Sequence, residues 1–186
     1  MKNKLKLPVP EKDFWVFAYG SLMWRPGFTF AETRTARIYG YHRHLCVWSW
    51  RYRGTVEKPG LVFGLMRGGS CVGRAFRVAA GDTVATVDYL HEREMVGDVY
   101  RPCLRPVRLD DGSRVEALAF VVKNNHRQYA GKQPAHIAAG IIKGAHGPQG
   151  SNVEYVMETA SQLDTMGVRD AALAQISRMI GAEARL

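Results

Sequence analysis

The hydrophobic period of this chain changes partway along its length. Up to Val122 the apolar residues fall mainly in strand-like runs such as VFAYG, CVWSW, LVFGLM and EALAFVV, and beyond Pro134 they fall at helical spacing. A chain that places most strands before most helices does not alternate as a doubly wound sheet requires, so an α+β domain is expected.

Local signals subdivide the pattern. Trp15 to Leu22 reads as a buried strand ending at Tyr19 or Gly20, followed by a loop through Arg25, Pro26 and Gly27. Arg37 to Tyr52 is strand-like, and its alternation puts Cys46, Trp48, Trp50 and Tyr52 on one face, with Val47, Ser49, Arg51 and Arg53 on the other. The tryptophan face is expected to fill the core. RGTVEKPG reads as a loop, and two short strands, Leu61 to Met66 and Val72 to Val78, are expected on either side of an RGGS turn. GDTVATVDYLHEREM has helical spacing, with Asp82 as a plausible N-cap. Arg101 to Leu109 and Arg114 to Val122 form a hairpin across the Asp110, Asp111, Gly112 turn. A short helix spans Pro134 to Lys143. Another opens on the capping box of Ser151 and Glu154 and closes at Gly167, and Arg169 to Glu183 is a final amphipathic segment.

At 186 residues, 46% of them hydrophobic, the chain suits one compact domain. Residues 14–186 are expected to form it, after a poorly ordered leader over residues 1–13. Cys46, Cys71 and Cys103 are odd in number, widely spaced and free of any CxxC pair, which argues against a disulfide framework or zinc ribbon. No apolar run approaches membrane-spanning length, and a cytoplasmic protein that engages no membrane is expected. The net charge of +9 favours an anionic partner without naming one.

The sequence has no GxGxxG, GxxxxGK[ST] or GxSxG motif, so nucleotide-handling and serine-hydrolase readings lose their main support. His42 and His44 share one side of a strand, and His91 nearly shares a helix face with Glu94. No third partner completes a metal site, and hydrogen-bonded or solvated histidines account for the pattern as well. YGYHRHLCVWSWRYRG interleaves basic and aromatic residues as a single-strand nucleic-acid platform would. Its alternation, however, turns the tryptophans away from Arg51 and Arg53, and no nucleic-acid partner is expected.

Two stretches remain, AYGSL and EREM. A Gly-Ser turn leaving a strand exposes amides able to hold a carboxylate or a developing oxyanion. Glu94, on a helix whose neighbouring turn carries Val87, Tyr89 and Leu90, would have its pKa raised by an apolar pocket and could pass protons. The residues alone leave a plain tight turn and solvated charges at Arg93 and Glu94 as open alternatives.

FAYGSLMW, RGTVEKPG, YLHEREMVGDVYRP, LDDGSRVEALAFV and GPQGSNVEY, in that order, make the chain resemble the ChaC-like γ-glutamylcyclotransferases that act on glutathione, in their bacterial form. The resemblance covers nearly everything after the leader. Ala18 departs from it, standing where the family usually has Gly before the tyrosine of YGSL. It implies a small mixed β-barrel flanked by helices, with the active site in a cavity at one end and no cofactor or metal. The implied reaction is attack of the γ-glutamyl α-amine on its own γ-carbonyl, which converts glutathione to 5-oxoproline and Cys-Gly. Glu94 matches the family's catalytic glutamate, and Tyr19, Gly20, Ser21 and Leu22 match its substrate-binding motif. Tyr100 matches an aromatic position that could bond the substrate. Arg53 and Tyr155 lie in family motifs, where a loop-stabilising arginine and a core tyrosine are equally open. Glu92 points roughly 160° away from Glu94 on a helix and should not replace it. Another γ-glutamyl peptide or a γ-glutamylamine as substrate, or a non-catalytic binding or regulatory module, are the alternatives.

Overall fold

A computed structural model describes residues 12–181, so the expected leader lies outside it except for Lys12 and Asp13. Asp13 is tied down: its carboxylate accepts from the Arg77 guanidinium at 2.6 Å and from the Ala80 N–H at 3.0 Å.

Five strands close into a barrel: β1 (Phe14–Ala18), β2 (Glu32–Ser49), β3 (Gly60–Val78), β4 (Tyr100–Leu109) and β5 (Arg114–Val122). Their order round the barrel is β1, β3, β2, β4, β5, with every neighbour antiparallel except β5, which runs parallel to β1 and touches β3 at Leu65 and Val121. Helices α1 (Thr83–Glu94), α2 (Ala135–Gly144), α3 (Asn152–Thr165) and α4 (Ala171–Gly181) surround it. Phe17, Ile38, Leu65 and Phe120 from the strands share one buried cluster with Leu90, Ile142 and Leu163 from the helices. Burying those side chains is the main force holding the layers together. The α+β barrel flanked by helices is therefore observed.

Three local expectations are corrected. The first strand ends at Ala18, and Ser21–Met23 forms a single 3-10 turn. RGGS is no hairpin turn: β3 is one strand of 19 residues, and Gly68 and Gly69, at φ +98 and +68, absorb a register shift against β2. Positive φ serves a bulge as well as a turn, so the glycine pair alone could not separate them. The buried side of β2 passes from Ala36 and Ile38 to Tyr41, Arg43 and Leu45 across the shift between Tyr39 and Tyr41, and it stays on the odd-numbered positions through a second shift, between Leu45 and Val47, where Cys46 is the extra residue. Val47, Ser49 and Arg53 are buried, whereas Trp48 and Trp50 are half-buried and Tyr52 is exposed. The strand stops at Ser49, so Trp50 to Arg53 belong to the following loop.

Other signals hold. The Asp110 to Gly112 turn joins β4 and β5, and α3 is capped by Ser151, whose Oγ accepts from the Glu154 N–H. Asp82 precedes α1 without capping it through its side chain.

Candidate active site

The barrel is incompletely zipped beside β3, and the site lies there. β1 pairs only with the Arg74–Val78 end of β3, which leaves one edge of the Gly60–Gly64 end without a strand neighbour. Its backbone groups still need partners. Asn152, at the start of α3, accepts from the Leu61 N–H at 2.6 Å and donates to the Leu61 carbonyl at 2.8 Å. Two residues on, the Phe63 N–H donates to the Tyr155 hydroxyl at 3.1 Å, and the Phe63 carbonyl accepts from the Tyr100 hydroxyl at 2.8 Å. Side chains from α3 and β4 thus substitute for a missing strand, and the space between them is a cavity of about 530 Å³.

All eight residues singled out in the sequence line this cavity: Tyr19, Gly20, Ser21, Leu22, Arg53, Glu94, Tyr100 and Tyr155. The turn after β1 supplies the first four. Gly20 approaches the Tyr155 hydroxyl closely, since a Cβ there would lie 3.2 Å from it. Arg43, almost wholly buried, donates to the Tyr19 carbonyl at 2.9 Å and pairs with Asp170, which fixes the point where the chain leaves β1. Glu94 ends α1, and Glu92 is exposed on the same cavity's lining.

Arg93 is the residue that sequence reasoning missed. Its guanidinium donates to Ser21 Oγ at 2.9 Å, to the Arg25 carbonyl at 2.6 Å and to the Tyr89 hydroxyl at 2.6 Å, and it lies 3.3 Å from the Glu94 carboxylate. It ties the carboxylate to the turn. Tyr89, four residues earlier, and Glu94, the next residue, are its partners near in the sequence; Arg25 and Ser21 lie about 70 positions away in the chain.

Arg53 is also buried. It donates to the Ser151 carbonyl at 3.1 Å and to Glu154 at 3.0 Å, and stacks over the Tyr155 ring at 5.6 Å. Those contacts hold the RGTVEKPG loop against the start of α3.

Burial pushes the Glu94 carboxyl above the usual carboxylate range, against the opposing pull of Arg93. Its place at a helix C-terminus adds to the cost of ionising it. Burial also raises the Tyr19, Tyr100 and Tyr155 phenols, and the charge of Glu94 contributes at each, so all three keep their protons at neutral pH. Those protons point in different directions. Tyr19 donates to the Phe120 carbonyl at 2.7 Å and Tyr100 to Phe63, so their oxygens face the cavity as acceptors. Tyr155 and Ser21 each already accept a bond, from Phe63 and Arg93, which leaves their hydroxyl protons to donate. The cavity therefore holds an accepting group, Glu94, Tyr19 and Tyr100, and a donating group, Ser21 and Tyr155. Among the described residues no three His, Cys, Asp or Glu side chains are grouped to hold a metal.

The fold is thus a small mixed barrel that gathers a desolvated carboxylate, three phenols and a Gly-Ser turn in one cavity. The sequence matches the family described as ChaC-like protein over residues 14–183, and the chain belongs to that family. It is 34% identical over 163 residues to the Escherichia coli K12 protein named glutathione-specific gamma-glutamylcyclotransferase, covering 88% of this chain and 71% of that one. It is 30% identical over 174 residues to the human glutathione-specific gamma-glutamylcyclotransferase 1, covering 90% and 78%. The fold is similar to the crystal structure of a yeast γ-glutamyl cyclotransferase specific to glutathione, with a TM-score of 0.85 at 20% identity over 92% of this chain and 96% of that one.

Proposed function

We propose that the chain is a glutathione-specific γ-glutamylcyclotransferase, a lyase that closes the γ-glutamyl group to 5-oxoproline and releases Cys-Gly. Membership of the ChaC-like family and the names of its relatives support the reaction class. The sorting of donors and acceptors around one desolvated carboxylate carries the assignment of residues.

The nucleophile belongs to the substrate. Its α-ammonium lies against Glu94, Tyr19 and Tyr100, the accepting side, while the carbonyl under attack faces Ser21, Tyr155 and the amides of the Gly20-Ser21 turn. Glu94 takes a proton from the ammonium, and the freed amine attacks the γ-carbonyl as its oxygen gains charge toward the donors. The new C–N bond closes the five-membered ring. A second proton leaves the ring nitrogen through Glu94 as the bond to the cysteine nitrogen breaks. Two protons leave the ammonium in all, and the departing amine ends with two more than the amide had. A carboxyl held above its ordinary range by burial is suited to accept and return them near neutral pH. Holding the glutamyl chain bent removes much of the entropic barrier to closing the ring. Leu22 and the Arg53-pinned loop wall the cavity.

Residues 14–186 act as one catalytic domain in the cytoplasm. No helix of the described residues is long and apolar enough to cross a membrane, and the positive charge serves an anionic peptide without requiring nucleic acid or a cofactor. The test is mass-spectrometric detection of 5-oxoproline from glutathione, with Glu94→Gln alongside. Wild type should form it, and the variant should be slower by about 10²- to 10⁴-fold. A folded Glu94→Gln protein near wild-type activity refutes the role of Glu94.

A further inference from the structure

The cavity has more positive charge than its own residues use. Arg25, Arg51, Arg53 and Arg93 line it. Arg93 is committed to Ser21, Arg25, Tyr89 and Glu94, and Arg53 to Ser151 and Glu154. The side chains of Arg25 and Arg51 are exposed and have no partner among the described residues. Two cations are therefore left for ligand.

Their backbones place them in different parts of the wall. The Arg25 N–H donates to the Ser21 carbonyl at 2.9 Å, so Arg25 belongs to the turn beside the reacting group. Arg51 lies on the loop between β2 and β3, which is fixed on both sides of it. The Arg53 N–H bonds Ser49 Oγ at 3.1 Å, and the Tyr52 carbonyl accepts from the Gln149 N–H at 3.0 Å. A Cβ on Gly54 would come within 2.3 Å of the Gly60 nitrogen, so the loop is seated directly on the strand that follows. A fixed backbone with a free guanidinium at the cavity wall is preorganised to receive an anion.

We propose that Arg51 binds the carboxylate at the far end of the leaving dipeptide and so selects γ-glutamyl substrates that carry one. The proposal rests on the cyclotransferase reading and deepens it. Glutathione has one carboxylate on the glutamyl group and another on its glycine, separated by the length of the molecule. Arg51 reads the second, which is absent from γ-glutamylamines with a neutral leaving group. Because this contact is remote from the bond that breaks, its loss acts mainly on KM.

The test compares glutathione with its glycyl ethyl ester, using the full chain as wild type, Arg51→Ala, Arg51→Lys and Arg25→Ala. Esterification should raise the wild-type KM about tenfold with little change in kcat, the size expected of one charge-assisted bond at a partly open site. Arg51→Ala should raise the KM for glutathione by a similar factor and gain no further increase with the ester, while Arg51→Lys recovers part of the loss. Arg25→Ala should keep the wild-type ratio of ester to acid KM. If the two effects multiply in Arg51→Ala, or the ratio falls equally in Arg25→Ala, the assignment of Arg51 is overturned while the reaction stands. A wild type that forms no 5-oxoproline from glutathione overturns the cyclotransferase reading, and this proposal with it.

Discussion

Replacing Arg93 with methionine should damage stability and shift the pH dependence of the reaction, in directions that can be separated. The side chain is about one-fifth exposed and makes three short hydrogen bonds, to Ser21, Arg25 and Tyr89, besides its ion pair with Glu94. Bonds to a charged group contribute about 1.5–3 kcal/mol each when intact, but water reaches this site and methionine keeps the apolar stem buried. A net loss of about 2–4 kcal/mol follows, and at roughly 2–4 °C per kcal/mol for a chain of this size the melting temperature should fall by about 4–16 °C. The catalytic effect has its own sign. Burial raises the Glu94 carboxyl and Arg93 pulls it down, so removing the cation lets it climb. The proposed reaction needs the ionised form first, so the acid limb of kcat/KM should move to higher pH. The assay is 5-oxoproline formation across pH, run well below the variant's melting temperature beside wild type, so that titration of the substrate cancels. A folded variant whose acid limb stays in place or moves down would refute the electrostatic link between Arg93 and Glu94.

Glu94→Gln should be more stable than wild type at neutral pH while losing activity. Its folded-state pKa is raised, so folding disfavours the ionised form: the penalty is absent below the unfolded pKa, grows as pH rises toward the folded one, and is full above it. A gain of about 1–6 °C at pH 7 that vanishes near pH 4, followed by thermal melts, is the expected result. Tyr155→Phe removes the acceptor of the buried Phe63 N–H and should cost about 1–3 kcal/mol in denaturant unfolding; an unchanged midpoint would mean that the strand edge finds another partner. Gly20→Ala puts a methyl 3.2 Å from the Tyr155 hydroxyl, a contact that a small shift relieves. It should lower kcat/KM by about tenfold or more while the melting temperature changes by only a few degrees, because displaced donors affect the reaction more than the core.

What could be read in the sequence was what depends on neighbours along the chain. The Asp-Gly step between β4 and β5 and the Ser151 N-cap each act within four residues and form as expected, while the Glu154 carboxylate, the other half of the expected capping box, pairs with Arg53 instead. The failures came where tertiary pairing decides. Gly68 and Gly69 have the torsions of a turn, yet β2 continues beside them and makes the segment a bulge. The tryptophans suggested the wrong inner face after Tyr41: the shift between Tyr39 and Tyr41 sets the odd-numbered positions inward, and Val47 and Ser49 are buried like Tyr41 and Leu45 before them. The site divides in the same way. Tyr19 to Leu22 and Glu94 stood out in motifs, with their roles implied by family resemblance, but Arg93 and Arg51 looked like ordinary surface charges. Arg93 differs from one only through Ser21 and Arg25 far along the chain, and Arg51 only through a loop pinned by its neighbours.

The tyrosines show why fold and chemistry are hard to separate here. Tyr100 and Tyr155 close the unpaired edge of β3, and closing it fixes which way each phenol proton points. One hydroxyl is left to accept and the other to donate. A barrel fully zipped by strands would satisfy Phe63 with backbone groups, and would then have neither the cavity nor the polarity across it that the proposed reaction uses to orient an amine toward Glu94. The gap in the sheet is thus what the site is made from, and changes that tighten the barrel there should stabilise the fold at the cost of turnover.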